Sequence, residues 1–213
     1  MLEDISGEKI KEQFKSNKNL RNGAFAIGGI LVIILGYFAY RQFMWKPANE
    51  KSKDSTWVAL NHIAKDSTDL AIEELTVQVK KYDGKIGGEV DQFLLARQLM
   101  TNGEFDAALK ELNGVDVSDT YVHIMNIGLQ ADCYSELENY TEAASLYKKA
   151  AAMSPNEFTT PMYLLKAGLC LEEIKNFKEA EKCYTEIRDE YAAFGNQKHI
   201  EKYIARTSKE VKK

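Results

Sequence analysis

Residues 23–40, GAFAIGGILVIILGYFAY, carry no charged side chain over eighteen positions, and Phe43, Met44 and Trp45 prolong the apolar character past Arg41. With a rise of about 1.5 Å per helical residue, about twenty such residues cross the roughly 30 Å hydrocarbon core of a bilayer. Tyr37, Tyr40 and Trp45 then form an aromatic belt at one interface, and Arg41 and Lys46 reach toward headgroups. The expectation is one transmembrane helix over 23–45 behind an N-terminal tail, 1–22. The competing reading is a cleaved signal peptide. Its apolar run is usually about 7–15 residues long and ends at a small-x-small site; RQFMWKPANEK offers none.

Orientation and packing of this segment are less strongly encoded. The tail carries Lys9, Lys11, Lys15, Lys18 and Arg21, against Arg41, Lys46, Lys51 and Lys53 on the far side, so the positive-inside rule leans toward an N-terminus on the cytoplasmic side. Ala24, Gly28 and Gly29, with Gly36 further along, offer a small-residue edge for another membrane helix. Glycine is also common in membrane helices that make no such contact.

Beyond the anchor, KPANEKSKDST (46–56) is polar, holds Pro47 and lacks hydrophobic periodicity, which reads as a short tether. From Trp57 onward helical patterns alternate with short breaks. Only three prolines occur in 213 residues, so the fold class expected is all-α. The net charge of −4, with Lys and Glu interspersed, speaks against a nucleic-acid surface. Cys133, Cys170 and Cys183 have no CxxC spacing, and His62, His123 and His199 are scattered, so no metal, cofactor or disulfide framework is expected.

An internal repeat organises the rest. Counting from Ala131, positions +3, +12, +16, +19 and +24 are Tyr134, Ala143, Tyr147, Ala150 and Pro155. A shift of 37 gives Gly168, Leu171, Ala180, Tyr184 and Ile187; a shift of −35 gives Ala96, Leu99, Ala108, Leu112 and Val115. Small residues at these intervals let paired helices approach, and aromatics fill the space between hairpins. Cys133 and Cys170 occupy one register position, which suits buried, unreactive thiols. The sequence further suggests a helical pair over 57–88, repeats over 89–193 and a polar capping helix over 194–213.

This pattern resembles the tetratricopeptide repeat, a helix-turn-helix of about 34 residues, and implies an α-solenoid. In such a stack the first helix of each hairpin lines a concave groove. The resemblance places there Phe93, Arg97 and Met100; Met125, Gly128, Asp132, Ser135 and Glu136; and Met162, Leu165, Leu169, Glu172 and Glu173. Leu165 and Leu169 fit equally well a contact covered by the neighbouring repeat or by the C-terminal helix. The Lys/Asn carboxylate clamp of tetratricopeptide co-chaperones is missing, since Gly128 and Asp132 stand in its places.

The order of anchor, tether, helical pair and repeats, with NEFTTPMYLLKAGLCLE and IEKYIAR, is similar to that of membrane-anchored, YfgM-like tetratricopeptide proteins of Bacteroidota-type bacteria. That resemblance implies an inner-membrane protein with an N-inside anchor and a periplasmic repeat domain. It also implies association with Sec translocon subunits, exported polypeptides or periplasmic chaperones, and no enzymatic activity. No Gly-rich phosphate loop, nucleophile elbow or metal-binding pattern appears in the sequence. The expected ligand is a polypeptide, extended or helical and favoured when basic; the alternative is an envelope scaffold joining folded proteins.

Overall fold

The computed structural model describes residues 12 and 14–212. Among these it is all-helical, and the chain divides into two compact units, Met1–Glu50 and Lys51–Lys213.

The first unit contains α1, Lys18–Tyr40, which is long and apolar enough to cross a membrane. Asn17 caps it, the side-chain oxygen accepting the amides of Asn19 and Leu20 and so satisfying donors that a helix start leaves unpaired. No residue of α1 is buried. Ile33 is 72% exposed and Val32 69%, a surface that water would penalise and hydrocarbon would not. Of the tail lysines weighed for orientation, Lys9 and Lys11 lie outside the described residues.

The polar stretch 46–56 is not an irregular tether. It belongs to α2, Lys46–Ile63, which follows a π-helical turn at Arg41–Trp45. The turn explains how Pro47 is tolerated. Proline cannot donate the backbone bond of a regular helix, and its ring strikes the carbonyl four residues back. In the π turn the Lys46 amide donates to Arg41 O instead, which widens the helix just where the ring follows.

In the second unit α2 continues from Lys51 and is followed by α3 (Thr68–Lys81), α4 (Ile86–Thr101), α5 (Phe105–Gly114), α6 (Thr120–Glu136), α7 (Tyr140–Met153), α8 (Thr159–Glu173), α9 (Phe177–Glu190), α10 (Ala192–Lys198) and α11 (Glu201–Val211). Each of α3 to α9 packs on the next. The expected capping helix over 194–213 is in fact two helices. His199 takes a left-handed conformation, and the Ile200 amide closes back on Gly195 O, which ends α10 and buries Ile200.

The sequence repeat is visible in the backbone. Gly103, Glu138 and Lys175 all have positive φ, and at each the next amide closes onto a carbonyl five residues back: Glu104 to Leu99, Asn139 to Tyr134, Asn176 to Leu171. These positions are separated by the same 35 and 37 residues as the side-chain pattern. Asn139 and Asn176 then cap α7 and α9. The core follows the register as well: Ala96, Ala131, Ala108, Ala143, Ala180, Leu112, Tyr147, Tyr184 and Ile187 are all buried.

Glycine permits the tightest contacts. A Cβ on Gly87 would lie 2.2 Å from Ser52 O, and on Gly88 2.1 Å from Tyr82 O, so the start of α4 meets backbone on two sides. The Gly87 amide donates to the Ser52 hydroxyl at 3.1 Å. Gly168 admits the Tyr184 ring in the same way.

One buried group runs against this economy. Asp91 has no exposed surface and lies beside Thr56 and Glu74. Neither of its oxygens accepts a hydrogen bond of normal geometry among the described residues. Burial pushes its carboxyl above the usual carboxylate range, the Thr56 hydroxyl partly offsets this, and the Glu74 charge adds to the rise.

Three substitutions test these features. Gly87→Ala should destabilise the second unit by about 2 kcal/mol or more, because backbone has to move, whereas Glu138→Gly should stabilise it by about 1 kcal/mol by relieving a left-handed non-glycine residue. Opposite shifts of the urea midpoint would establish both. For Asp91, a folded-state pKa above the unfolded one means stability is full below the ordinary carboxylate value of about 3.9 and is lost as pH rises through the folded value. Asp91→Asn should therefore raise the melting temperature at pH 7, by about 2–4 °C, and leave it nearly unchanged at pH 3; equal shifts at both pH values would contradict this.

Candidate functional site

The groove positions come from the first helices of the hairpins, α4, α6 and α8. Their turns leave the C-terminal ends of these helices adjacent, and a cleft of about 590 Å³ opens there. Met100 and Thr101 line it from α4, Phe105 from the start of α5, and Asp132, Ser135 and Glu136 from α6. Tyr147 forms the floor from α7, and Lys166, Leu169 and Cys170 close it from α8.

A polar knot sits at its base. The Tyr147 hydroxyl donates to Asp132 Oδ1, and Lys166 Nζ donates to the same oxygen at 2.6 Å. The Lys166 ammonium also lies 5.5 Å from the centre of the Tyr147 ring, within reach of its quadrupole. Tyr147 is buried, and burial together with the Asp132 charge drives its phenol far above the ordinary range, so it stays protonated and donates to Asp132. The arrangement ties α6, α7 and α8 together while presenting a lysine and an aspartate that neutralise each other.

Above the knot the surface is mixed. Leu169 is 40% exposed and Met125, nearer the start of α6, 44% exposed, while the Glu136 carboxylate is exposed and forms no ion pair among the described residues. The Cys170 thiol donates to the Ser135 hydroxyl at 3.7 Å. Burial is the main force raising all three thiols, Cys133 up to about 12 and Cys183 up to about 11.

Of the residues expected to share a groove, the structure brings together Met100, Asp132, Ser135, Glu136 and Leu169. Arg97, Met125 and Glu173 are exposed and Met162 and Leu165 half-buried, outside the cleft lining. Three residues are corrected. Gly128 is buried, and the space of its missing side chain is filled by the Tyr163 ring. Phe93 is only 8% exposed and lines a different hollow. Glu172 is occupied, accepting from the Tyr184 hydroxyl and from Arg206 of α11, each at 2.6 Å, so the C-terminal helix has already neutralised it. In α1, Gly28, Gly29 and Gly36 have no neighbouring atom within 4 Å of a would-be Cβ, and Ala24 is exposed.

Sequence reading missed Thr101, Phe105, Tyr147, Lys166 and Cys170. The register could have supplied Tyr147, which stands one helix behind Asp132. Lys166 has no such signal, because only the stacking of α8 on α6 brings it to Asp132. Among the described residues no group of three His, Cys, Asp or Glu side chains is placed to hold a metal ion. No protein-family model matches the sequence, and no curated protein matches it.

The thiol environment yields a direct check. With thiols raised by burial, thiolate is scarce at pH 8, so Cys133, Cys170 and Cys183 should all resist Ellman's reagent over an hour in the native protein and all react within a minute in guanidinium. Fast labelling of Cys170 in the native state would show that the cleft opens past its floor.

Proposed function

We propose that the chain is a membrane-anchored, non-enzymatic protein-binding module: a tetratricopeptide-type α-solenoid whose cleft between α4, α6 and α8 takes a segment of another polypeptide. One observation carries this reading. The cleft combines exposed Leu169 and partly exposed Met100 with Glu136, which forms no ion pair among the described residues, over a floor whose polar groups already satisfy one another. Such a surface offers adaptable apolar contact and a carboxylate for a basic side chain. Asp132 is held by two donors and burial raises the Cys170 thiol, so neither is poised as a base or nucleophile. The turns recurring at Gly103, Glu138 and Lys175 support the repeat assignment.

The apolar α1 supports an anchor, and the lysines and arginine of the tail favour an N-terminus in the cytoplasm. With that topology the repeats stand on the far side of a bacterial inner membrane. The resemblance to YfgM-like proteins supports a place at the Sec translocon, where the cleft would receive exported polypeptides or a periplasmic chaperone.

Photo-crosslinking in intact cells tests this. A photoreactive residue at Leu169 should capture heterogeneous exported chains or a periplasmic chaperone, and one at Gly29 should capture translocon subunits. A single folded envelope protein captured at both positions would replace this reading with a dedicated scaffold.

A further inference from the structure

A second hollow lies in the same unit. Its walls are the first two turns of α4 and the extended segment 115–119 that leads into α6. Its volume of about 380 Å³ falls within the range of about 300–1,000 Å³ common to ligand pockets. Ile86, Val90, Phe93, Val117 and Val122 make its interior apolar. Ile86 is 52% exposed and Val90 40%, so a partner that covers them gains hydrophobic free energy.

The rim has the opposite character. Glu89, Asp116 and Asp119 surround the apolar interior. Glu89 Oε2 accepts the Asp116 amide at 2.7 Å, and Asp119 Oδ1 accepts the Val122 amide at 2.9 Å; these bonds hold the 115–119 wall in place. None of the three carboxylates forms an ion pair among the described residues, and no cationic side chain lines the hollow. Three uncompensated negative charges around an apolar floor select an apolar group carried between positive ones and repel an acidic ligand.

We propose that this hollow is a socket for an aliphatic side chain on a lysine- or arginine-flanked polypeptide segment. The inference deepens the polypeptide-binding reading and rests on it for the class of partner, while adding a second anchor point and a charge preference. Val90, Phe93, Arg97 and Met100 follow one another at intervals of 3, 4 and 3 residues, which puts them on one face of α4. Val90 and Met100 are thus about 15 Å apart along the helix, a span that an extended chain covers in about five residues. A single segment can therefore seat an aliphatic side chain in the socket and reach the Asp132 cleft.

The test uses the full chain in nanodiscs and the fluorescent hexapeptide KKLIKK carrying a benzophenone, with EELIEE and KKSSKK as controls. KKLIKK should bind and crosslink within 86–93 or 115–122, and both controls should fail. The double variant Ile86→Ser with Val90→Ser alters exposed side chains only; with unchanged circular dichroism and melting, it should weaken binding about tenfold or more. Asp116→Asn, at a carboxylate that makes no hydrogen bond or ion pair among the described residues, should weaken binding and flatten its salt dependence.

Crosslinks confined to the Asp132 cleft, with the double variant binding normally, would overturn the socket and leave the polypeptide-binding reading standing. Crosslinks in the socket alone would uphold the socket and overturn the cleft. Equal binding of EELIEE would overturn the charge preference that defines the partner, and no binding of KKLIKK would overturn the socket as stated.

Discussion

Helices in the second unit meet where a side chain is missing or is a single methyl group. The start of α4 reaches Ser52 and Tyr82 because Gly87 and Gly88 have no Cβ, and the Tyr163 and Tyr184 rings lie where Gly128 and Gly168 leave room. Ala96, Ala108, Ala131, Ala143, Ala167 and Ala180 are fully buried along the same seams. Close-packed interiors leave no slack at such points, so these positions set how far each helix can slide along the next. The cleft inherits its shape from that register.

The polar contacts then lock what the small residues allow. Lys166 reaches Asp132 only because α8 lies directly against α6, and Tyr147 closes the same oxygen from α7. Three helices from two hairpins thus share one acceptor. The pair is partly exposed, so its direct contribution to stability is small; its effect is to fix which groups face the cleft and which are spent. At the C-terminal end Arg206 and Tyr184 do the same to Glu172, which removes one acid from the surface and leaves Glu136 and Glu173 as exposed carboxylates.

Two features of the chain mislead local reading, each for a physical reason. Residues 46–56 have a tether's composition, yet a helix needs only a geometry that accommodates Pro47, and the π turn at 41–45 supplies it. The end of the chain reads as one polar capping helix, yet His199 turns left-handed and Ile200 is buried beside Gly195. In both, local composition was correct about polarity and wrong about path. Phe93 and Gly128 fail as groove residues for a related reason: a register position states which face a residue occupies, while burial depends on what the next element lays over that face.

By itself the sequence determined the long apolar N-terminal helix, the all-helical class, the three-fold recurrence of small residues and turns, and the burial of the three cysteines. All of these follow from periodicity and composition, which act over one or two helical turns. Tertiary structure alone decided that Lys166 neutralises Asp132, that Arg206 covers Glu172, that Phe93 leaves the groove for a separate acidic-rimmed hollow, and that Asp91 is enclosed between Thr56 and Glu74. Those outcomes depend on side chains from helices far apart in the chain arriving at one place, and they are set by the stacking distances that glycine and alanine permit.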